Sequence, residues 1–264
     1  MTAVGRRLQV ALWGIPLVLG TAYVGGWPFR VLVAALTLLA CIEAHRLVCP
    51  GGPLIAAWPA FFFAVGLPLY LHAGPAQTLA LAFVACALTT GVTALVLRTG
   101  DGARASAAAL LLPIYPLLPM LYLVWLREWF GWRAAFFLFL VLWAGDTAAY
   151  AGGRLTGRHP LAPDISPRKT VEGAAWALAV SLATGWSIQR FLWPAVLSPV
   201  GALVAATLIW GLGMLGDLFE SLLKRHVGVK DSSPLLSDHG GVLDRFDSLL
   251  FASAPLFYLF HWWS

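Results

Sequence analysis

Long runs of apolar residues alternate with short clusters of Gly, Pro or charged residues along most of this chain. A helix needs about 20 mainly apolar residues to cross a bilayer. About nine runs approach this length, and in chain order they are roughly Leu8–Gly25, Phe29–Ala44, Leu54–His72, Thr78–Leu97, Ala107–Leu126, Ala134–Ala151, Ala174–Phe191, Val196–Phe219 and Leu249–Trp262. The pattern therefore predicts an all-α, polytopic bundle of transmembrane helices.

The composition also indicates a membrane protein. Hydrophobic residues make up 60% of the 264 positions and charged residues only 11%, too few to give a soluble globule of this size a polar surface. Arg6 and Arg7 precede the first apolar run as in a signal peptide, but no small-x-small cleavage site stands out and a second run follows at once. We therefore expect a retained first helix and a single integral membrane domain over residues 1–264.

The basic residues predict the orientation of the helices, because cytoplasmic loops of membrane proteins are enriched in Lys and Arg. A cytosolic N-terminus places most of the 17 Lys and Arg residues on the cytosolic side, and the exceptions are Arg30, Arg127, Arg133 and Arg190. We therefore predict that the N-terminus is cytosolic. The net charge of +5 then describes a basic cytosolic face that suits lipid headgroups or nucleotide phosphates, and it gives no reason to expect nucleic acid.

Polar residues with informative spacing lie in the second half of the chain. Residues 1–133 are nearly featureless apolar helix, which predicts scaffold and lipid-facing helices. Residues 134–264 contain the two longest polar stretches, roughly 152–173 and 220–248, and both are cytosolic loops in the predicted topology. We therefore expect the catalytic or binding residues in this half.

Three aspartates stand where apolar helices meet the second polar stretch. Asp217 shares a helix face with Ser221 and Lys224, at spacings i, i+4 and i+7. Asp244 and Asp247 precede the last apolar run. Carboxylates at a membrane edge usually face a bundle interior or a wet cavity with a partner. With basic residues nearby, they predict a site for a divalent metal ion and phosphates, and hard oxygen ligands favour Mg²⁺.

A histidine followed by two glycines, His239-Gly240-Gly241, lies between these aspartates. Paired glycines let backbone N–H groups approach a phosphate, although an ordinary turn explains them about as well. A structural hydrogen bond explains the histidine at least as well as acid–base chemistry. Several basic side chains are candidate phosphate ligands, with topology alone as the alternative explanation: Lys224, Arg225, Lys230 and Arg245.

The first polar stretch is a second candidate for contact with phosphate or nucleotide. Asp146 and Tyr150 share a helix face just before it. Within it, hydroxyl and basic side chains could contact phosphate, and they are Ser166, Arg168, Lys169 and Thr170. A rigid basic loop that touches lipid headgroups is the alternative interpretation.

These residues resemble the signature of the phosphatidate cytidylyltransferase (CDP-diacylglycerol synthase) family. That pattern reads S-x-x-K-R-x4-K-D-x-[small]-x2-[aliphatic]-[P/G]-x-H-G-G-x2-D-R-x-D. The matching residues are Ser221, Lys224, Arg225, Lys230, Asp231, Ser233, His239, Gly240, Gly241, Asp244, Arg245 and Asp247. Ser237 departs from it, since the family usually has Pro or Gly there. Residues 146–173 resemble the family's second block, a D-x3-Y helix end followed by a basic loop with S-P-x-K-T and E-G.

The resemblance implies a multi-pass enzyme of the bacterial inner membrane whose active site faces the cytosol. The expected reaction transfers CMP from CTP to phosphatidic acid and gives CDP-diacylglycerol and pyrophosphate. Mg²⁺, alone or with a second cation, would be held by carboxylates matching Asp217, Asp244 and Asp247. The expected catalytic residues are Asp217, Asp244, Asp247, Lys224 and His239. The expected substrate-binding residues are Ser221, Arg225, Lys230, Asp231, Gly240, Gly241, Arg245, Asp146, Tyr150, Ser166, Lys169 and Thr170.

Two other functions stay open at this point. A CTP-dependent kinase of polyprenol or another lipid alcohol would share the substrate classes but release CDP. An ion-coupled secondary transporter could use the acidic residues Asp146, Asp217 and Asp244 as an ion path, although no inverted repeat is visible. The sequence leaves the choice between monomer and homodimer, the acyl preference and the use of dCTP undecided.

Overall fold

The computed structural model describes residues 3–50, 58–69, 110–193, 197–233 and 240–263, together with Leu54 and short helical stretches between residues 80 and 95. Helices dominate these parts. In chain order they are α1 (Ala3–Val24), α2 (Gly26–Val48), α3 (Trp58–Leu69), α4 (Leu118–Phe130, preceded by the π-helical turn Pro113–Leu117), α5 (Trp132–Thr156), α6 (Val171–Leu192), α7 (Pro199–His226) and α8 (Leu243–Trp263). The predicted helical class is confirmed, while the predicted span Thr78–Leu97 lies largely outside the described residues.

Four helical stretches of the described chain are long and apolar enough to cross a membrane, judged by length and composition. They are Gly26–Val48, Leu110–Phe130, Trp132–Thr156 and Pro199–His226, and the shorter helices Leu12–Val24 and Trp58–Leu69 are also apolar. A helical membrane protein is therefore confirmed. The count of about nine spans and the cytosolic N-terminus stay predictions.

The chain divides into two compact units. The first unit comprises residues 1–124 together with 223–246, and the second comprises residues 125–222 together with 247–264. The segment 223–246, which the sequence analysis assigned to the C-terminal half, thus groups with the N-terminal helices. The prediction of a single membrane domain stays a prediction.

The core of the first unit includes an apolar cluster between helices α2, α3 and α4. Its buried members are Cys41, Ala64, Leu67, Leu117 and Leu121. Lipid tails are as apolar as these side chains, so close packing rather than removal from water holds such helices together. The cluster keeps α2 in a fixed place within the first unit, and α2 carries a buried carboxylate described below.

In the second unit, α7 and α8 approach each other closely at a glycine. A Cβ atom on Gly216 would lie 2.5 Å from the backbone oxygen of Asp247 and 3.1 Å from the ring of Phe251. Real Cβ atoms do not come that close, so only glycine permits this approach, as is common at helix contacts in membranes. The contact fixes the part of α7 that carries Asp217, the next residue.

A short β-hairpin interrupts the helices between α5 and α6. Strands β1 (Pro160–Ala162) and β2 (Ser166–Thr170) pair antiparallel. The hydroxyl of Thr170 then accepts a hydrogen bond from the N–H of Gly173 at 3.1 Å and caps the N-terminus of α6. The sequence predicts a loop over residues 152–173, and the structure shows two strands within it. Both strands are sheet edges, where proline is tolerated.

Candidate active site

The carboxylate of Asp244, in the first turn of α8, lies at the centre of a hydrogen-bonded cluster in the first unit. Its Oδ1 lies 2.5 Å from Nζ of Lys224, near the end of α7. Its Oδ2 accepts from the N–H of Gly241 at 2.7 Å and from the N–H of Ser232 at 2.9 Å, and it lies 2.9 Å from the hydroxyl of Ser232. Both oxygens of Asp244 therefore have hydrogen-bond donors from the protein itself.

Asp244 and Lys224 form a buried ion pair. Only 5% of the Asp244 side chain and 11% of the Lys224 side chain are exposed. Burial raises the pKa of Asp244, but the hydrogen bonds from Gly241, Lys224 and Ser232 and the charge of Lys224 lower it by more, so that this pKa lies below its usual range. The carboxylate is therefore ionised at neutral pH.

The two glycines before α8 are required by the carboxylates beside them. Gly240 has φ +76°, and a Cβ atom there would collide with the carboxylate of Asp244. A Cβ atom on Gly241 would overlap both the hydroxyl of Ser232 and the carboxylate of Glu43. The N–H of Gly241, predicted to approach a phosphate, donates to Asp244 in this structure.

Glu43 belongs to the same cluster, although the sequence analysis did not single it out. It lies on α2, and its carboxylate accepts hydrogen bonds from the hydroxyl of Ser233 and from the N–H groups of Val242 and Leu243. The hydroxyl of Ser232 lies 2.9 Å from this carboxylate and 2.9 Å from that of Asp244. One sequence signal could have indicated it. A lone carboxylate inside an apolar run is costly in a membrane and usually has a partner in the bundle interior.

A second ion pair lies in the second unit. Oδ2 of Asp217 on α7 lies 2.5 Å from Nζ of Lys169 on β2, and the hydroxyl of Ser221 donates to Oδ1 of Asp217 at 3.4 Å. The predicted helix face shared by Asp217 and Ser221 is confirmed. The Asp217 side chain is 37% exposed and that of Lys169 is 23% exposed, so this pair is far more open to solvent than the pair at Asp244.

The predicted metal ligands are carboxylates, and their oxygen atoms suit a hard cation such as Mg²⁺. They differ in how readily each carboxylate could accept a cation. Asp217 is partly exposed and has acceptor positions beyond its contacts with Lys169 and Ser221. Asp244 is bonded at both oxygens, and the positive charge of Lys224 beside Oδ1 opposes a cation there unless Lys224 moves away.

The third predicted ligand, Asp247, is only 8% exposed, and its Oδ1 accepts the N–H of Ser248 at 2.6 Å. Within the part of the chain that the structure describes, no three His, Cys, Asp or Glu side chains are grouped as ligands of one metal ion. The metal site stays a prediction.

Glu172, in the first turn of α6, bonds to the two residues that precede the hairpin, and this hairpin carries Lys169. Its Oε2 accepts the N–H groups of Arg158 and His159 at 3.0 and 3.2 Å, and its Oε1 lies 2.6 Å from Nδ1 of His159. The hydrogen bond from Arg158 N–H, followed by the one from the His159 side chain, lowers the pKa of Glu172 to about 2. Glu172 therefore stays charged and bonded over the whole physiological pH range.

Replacement of Glu172 with Ala is expected to free the amides of Arg158 and His159. In the unaltered protein these amides should be protected from hydrogen exchange, relative to intrinsic rates, above the unfolded pKa of a glutamate, roughly 4.3. A lowered carboxyl pKa stabilises above the unfolded value, so protection should fall only as the pH approaches about 2. The measurement is exchange by mass spectrometry in detergent, with Asp164→Ala at the hairpin turn as the control. Equal protection in both variants would contradict the assigned role of Glu172.

The remaining predicted residues of the second unit lie on α5 and the hairpin. Asp146 and Tyr150 are exposed on α5, and the hydroxyl of Tyr150 accepts a hydrogen bond from Arg154 at 3.3 Å. Ser166 begins β2 and is partly buried. Thr170 has the structural role of capping α6, in addition to its predicted role in substrate binding.

Most of the remaining predicted residues of the first unit face solvent. Arg225 is exposed and donates to the backbone oxygen of Val229 at 3.1 Å. Lys230, Asp231 and Arg245 are also exposed, as phosphate ligands in an open site would be. His239 lies outside the described residues.

Comparisons with known proteins agree on one family. A family model described as "Cytidylyltransferase family" matches residues 5–263. A Synechocystis protein named phosphatidate cytidylyltransferase is 32% identical, over 97% of this chain and 95% of its own. Proteins with the same name from Staphylococcus epidermidis and Staphylococcus saprophyticus are 45% and 47% identical over 122 and 128 residues. These two matches cover 46% of each chain, so this chain spans about half the length of the staphylococcal relatives it matches.

Proposed function

Since this chain belongs to the cytidylyltransferase family, we propose that it transfers CMP from CTP to phosphatidic acid, giving CDP-diacylglycerol and pyrophosphate. The observation that carries this proposal is the buried pair of Lys224 and Asp244, which brings two residues of the predicted signature, 20 positions apart, into contact. A lysine and a carboxylate held in this way supply a cation for a phosphate and an anion for a metal ion.

The proposed chemistry is a single in-line displacement. An oxygen of the phosphatidic acid phosphate attacks the α-phosphorus of CTP, and the bond from that phosphorus to the oxygen bridging to the β-phosphate breaks. Pyrophosphate leaves with the bonding electrons. The attacking phosphate is already largely anionic near neutral pH, so no strong general base is needed, and positioning together with charge stabilisation supplies the catalysis.

The residues of the chain have separate parts in this proposal. Lys224 exchanges its carboxylate partner for a phosphate of the nucleotide, and this exchange leaves Oδ1 of Asp244 available. The exposed basic residues Arg225, Lys230 and Arg245 bind the other phosphates. Asp217, Asp244 and Asp247 are the proposed metal ligands. A bound Mg²⁺ would supply charge neutralisation on the phosphates.

The membrane setting belongs to the same proposal. The helices are apolar enough to lie in a bilayer, so the acyl chains of the lipid can remain there while CTP arrives from the water. We place the site at the cytosolic face of a bacterial inner membrane, because CTP is a cytosolic nucleotide and the basic residues of the signature favour that side. CTP, phosphatidic acid and the bilayer are the proposed partners.

The test uses CTP labelled at either the α- or the γ-phosphate, with detergent-purified protein, phosphatidic acid and Mg²⁺. The α-label is expected in the lipid fraction and the γ-label in pyrophosphate. In a lipid-alcohol kinase, by contrast, the γ-label enters the lipid and CDP is released. Omission of phosphatidic acid is the control. Neither label in lipid, with folded protein and active substrate, would overturn the proposal and favour a transporter.

A further inference from the structure

A buried carboxylate on α2 joins the two ends of the segment that leads into α8. Glu43 is 2% exposed, and α2 is one of the helices apolar enough to cross a membrane. A carboxylate in such a place is costly unless it is well paired. Its contacts therefore indicate what the fold gains by keeping it there.

Each oxygen of Glu43 lies within hydrogen-bond distance of two donor groups. Oε1 accepts the hydroxyl of Ser233 at 2.7 Å and the N–H of Val242 at 3.0 Å. Oε2 accepts the N–H of Leu243 at 2.8 Å and lies 2.9 Å from the hydroxyl of Ser232. The hydroxyl of Ser232 has one hydrogen, which it donates either to Glu43 or to Asp244. Glu43 also satisfies two of the backbone N–H groups that a helix N-terminus leaves without an intrahelical partner.

The donors that Glu43 holds are the neighbours of those that hold Asp244. Ser232 contacts both carboxylates, since its hydroxyl lies 2.9 Å from each. Gly241, whose N–H donates to Asp244, directly precedes the two residues whose N–H groups donate to Glu43. Glu43 thus fixes the two chain segments, at Ser232 and at Gly241, whose N–H groups donate to Asp244.

We propose that Glu43 is a positioning residue for nucleotide binding. It touches neither Lys224 nor Asp244 in any contact described above, and it acts on them through Ser232 and residues 241–243. By holding these donors in place, Glu43 fixes the position of the Asp244 carboxylate. That carboxylate in turn fixes the position of Nζ of Lys224 before CTP binds. This inference rests on the proposed function, because it takes CTP as the ligand.

The isosteric variant Glu43→Gln tests the inference. Either orientation of the glutamine amide places an NH₂ group against one of two backbone N–H groups, those of Val242 and Leu243, so at least one hydrogen bond is lost. We expect faster hydrogen exchange at these two amides and a roughly tenfold rise in the Kd for CTP, the scale of one lost charge-assisted hydrogen bond. Loss of folded protein lowers the number of sites but leaves Kd unchanged, so a purely structural role would not produce this rise.

The matched control is Thr37→Val, which replaces another buried polar residue of α2. Within the described residues, the hydroxyl of Thr37 donates to its own helix, to the backbone oxygen of Val33 at 2.6 Å. This variant should retain the wild-type exchange and Kd. If Glu43→Gln does not fold, Ser233→Ala removes one donor from the same carboxylate and should shift exchange and Kd in the same direction by a smaller amount.

The outcomes separate the inference from the proposed function. Faster exchange with an unchanged Kd would overturn the positioning role and leave Glu43 as a helix cap. Unchanged exchange would show that Glu43 does not hold the amides of Val242 and Leu243, and would overturn the inference. CTP binding that weakens in Glu43→Gln, in a protein that forms no CDP-lipid, would support the inference while the proposed reaction fails. Absence of CTP binding by the unaltered protein would overturn both.

Discussion

Replacement of Asp244 with Asn is expected to abolish formation of CDP-lipid, with a loss of at least about a hundredfold in kcat/KM. The carboxylate is the centre of the cluster that holds Lys224, and its negative charge cannot be replaced by an amide. Removal of a single preorganised electrostatic group typically costs about 10² to 10³ in rate. The measurement is transfer of α-labelled phosphate from CTP to lipid at saturating phosphatidic acid.

Stability falls in the same variant, so a second variant is needed to separate the two effects. Removing one partner of a buried ion pair costs about 3 to 5 kcal/mol, because the other charge stays buried without compensation. The double variant Asp244→Asn with Lys224→Met removes both charges and should recover much of the melting temperature in detergent. Its activity should remain absent. Recovered activity in the double variant would show that Asp244 acts only on folding.

Replacement of Asp217 with Asn should lower activity by a similar factor, about a hundredfold, with little change in stability. The Asp217 side chain is 37% exposed, and exposed ion pairs contribute about 0 to 1 kcal/mol. The expected loss comes from the proposed contact with metal and phosphate rather than from folding. Thermal unfolding and label transfer, measured on one preparation, test both parts of this prediction.

The pairing of Asp217 with Lys169 provides the control for this prediction. If Asp217 acts only by holding Lys169, then Lys169→Met should be as damaging as Asp217→Asn, and the double variant should be no worse than either. If Asp217 acts on metal or phosphate directly, Asp217→Asn should be the more damaging of the two. Full activity in Asp217→Asn would contradict its place in the site.

Local spacing correctly predicted where some of the candidate residues lie on their helices. Asp217 and Ser221 contact each other because residues four apart on a helix share a face. The helix that carries Asp244 and Asp247 begins at Leu243, and both aspartates lie near its start as expected. These features depend on the chain within one or two helical turns, and such features can be read from the sequence.

Two contacts could not be read in this way. Lys169 lies beside Asp217 because the hairpin folds, whereas the sequence predicts a loop there. Glu43 finds Ser232 and Leu243 across about 200 residues, and no local pattern carries that pairing. A single glutamate in an apolar run predicts that its carboxylate has a polar partner, but the sequence does not identify that partner.

The sequence by itself determined that the chain is a helical membrane protein, because long apolar runs and sparse charge leave a bilayer as the suitable solvent. It also determined the family, since the spaced acidic, basic and glycine residues are local to one segment. The tertiary structure decided which acidic side chain pairs with which basic one. Asp244 is occupied by Lys224 and held by donors that Glu43 fixes, because buried polar groups must find partners wherever packing brings the chain together.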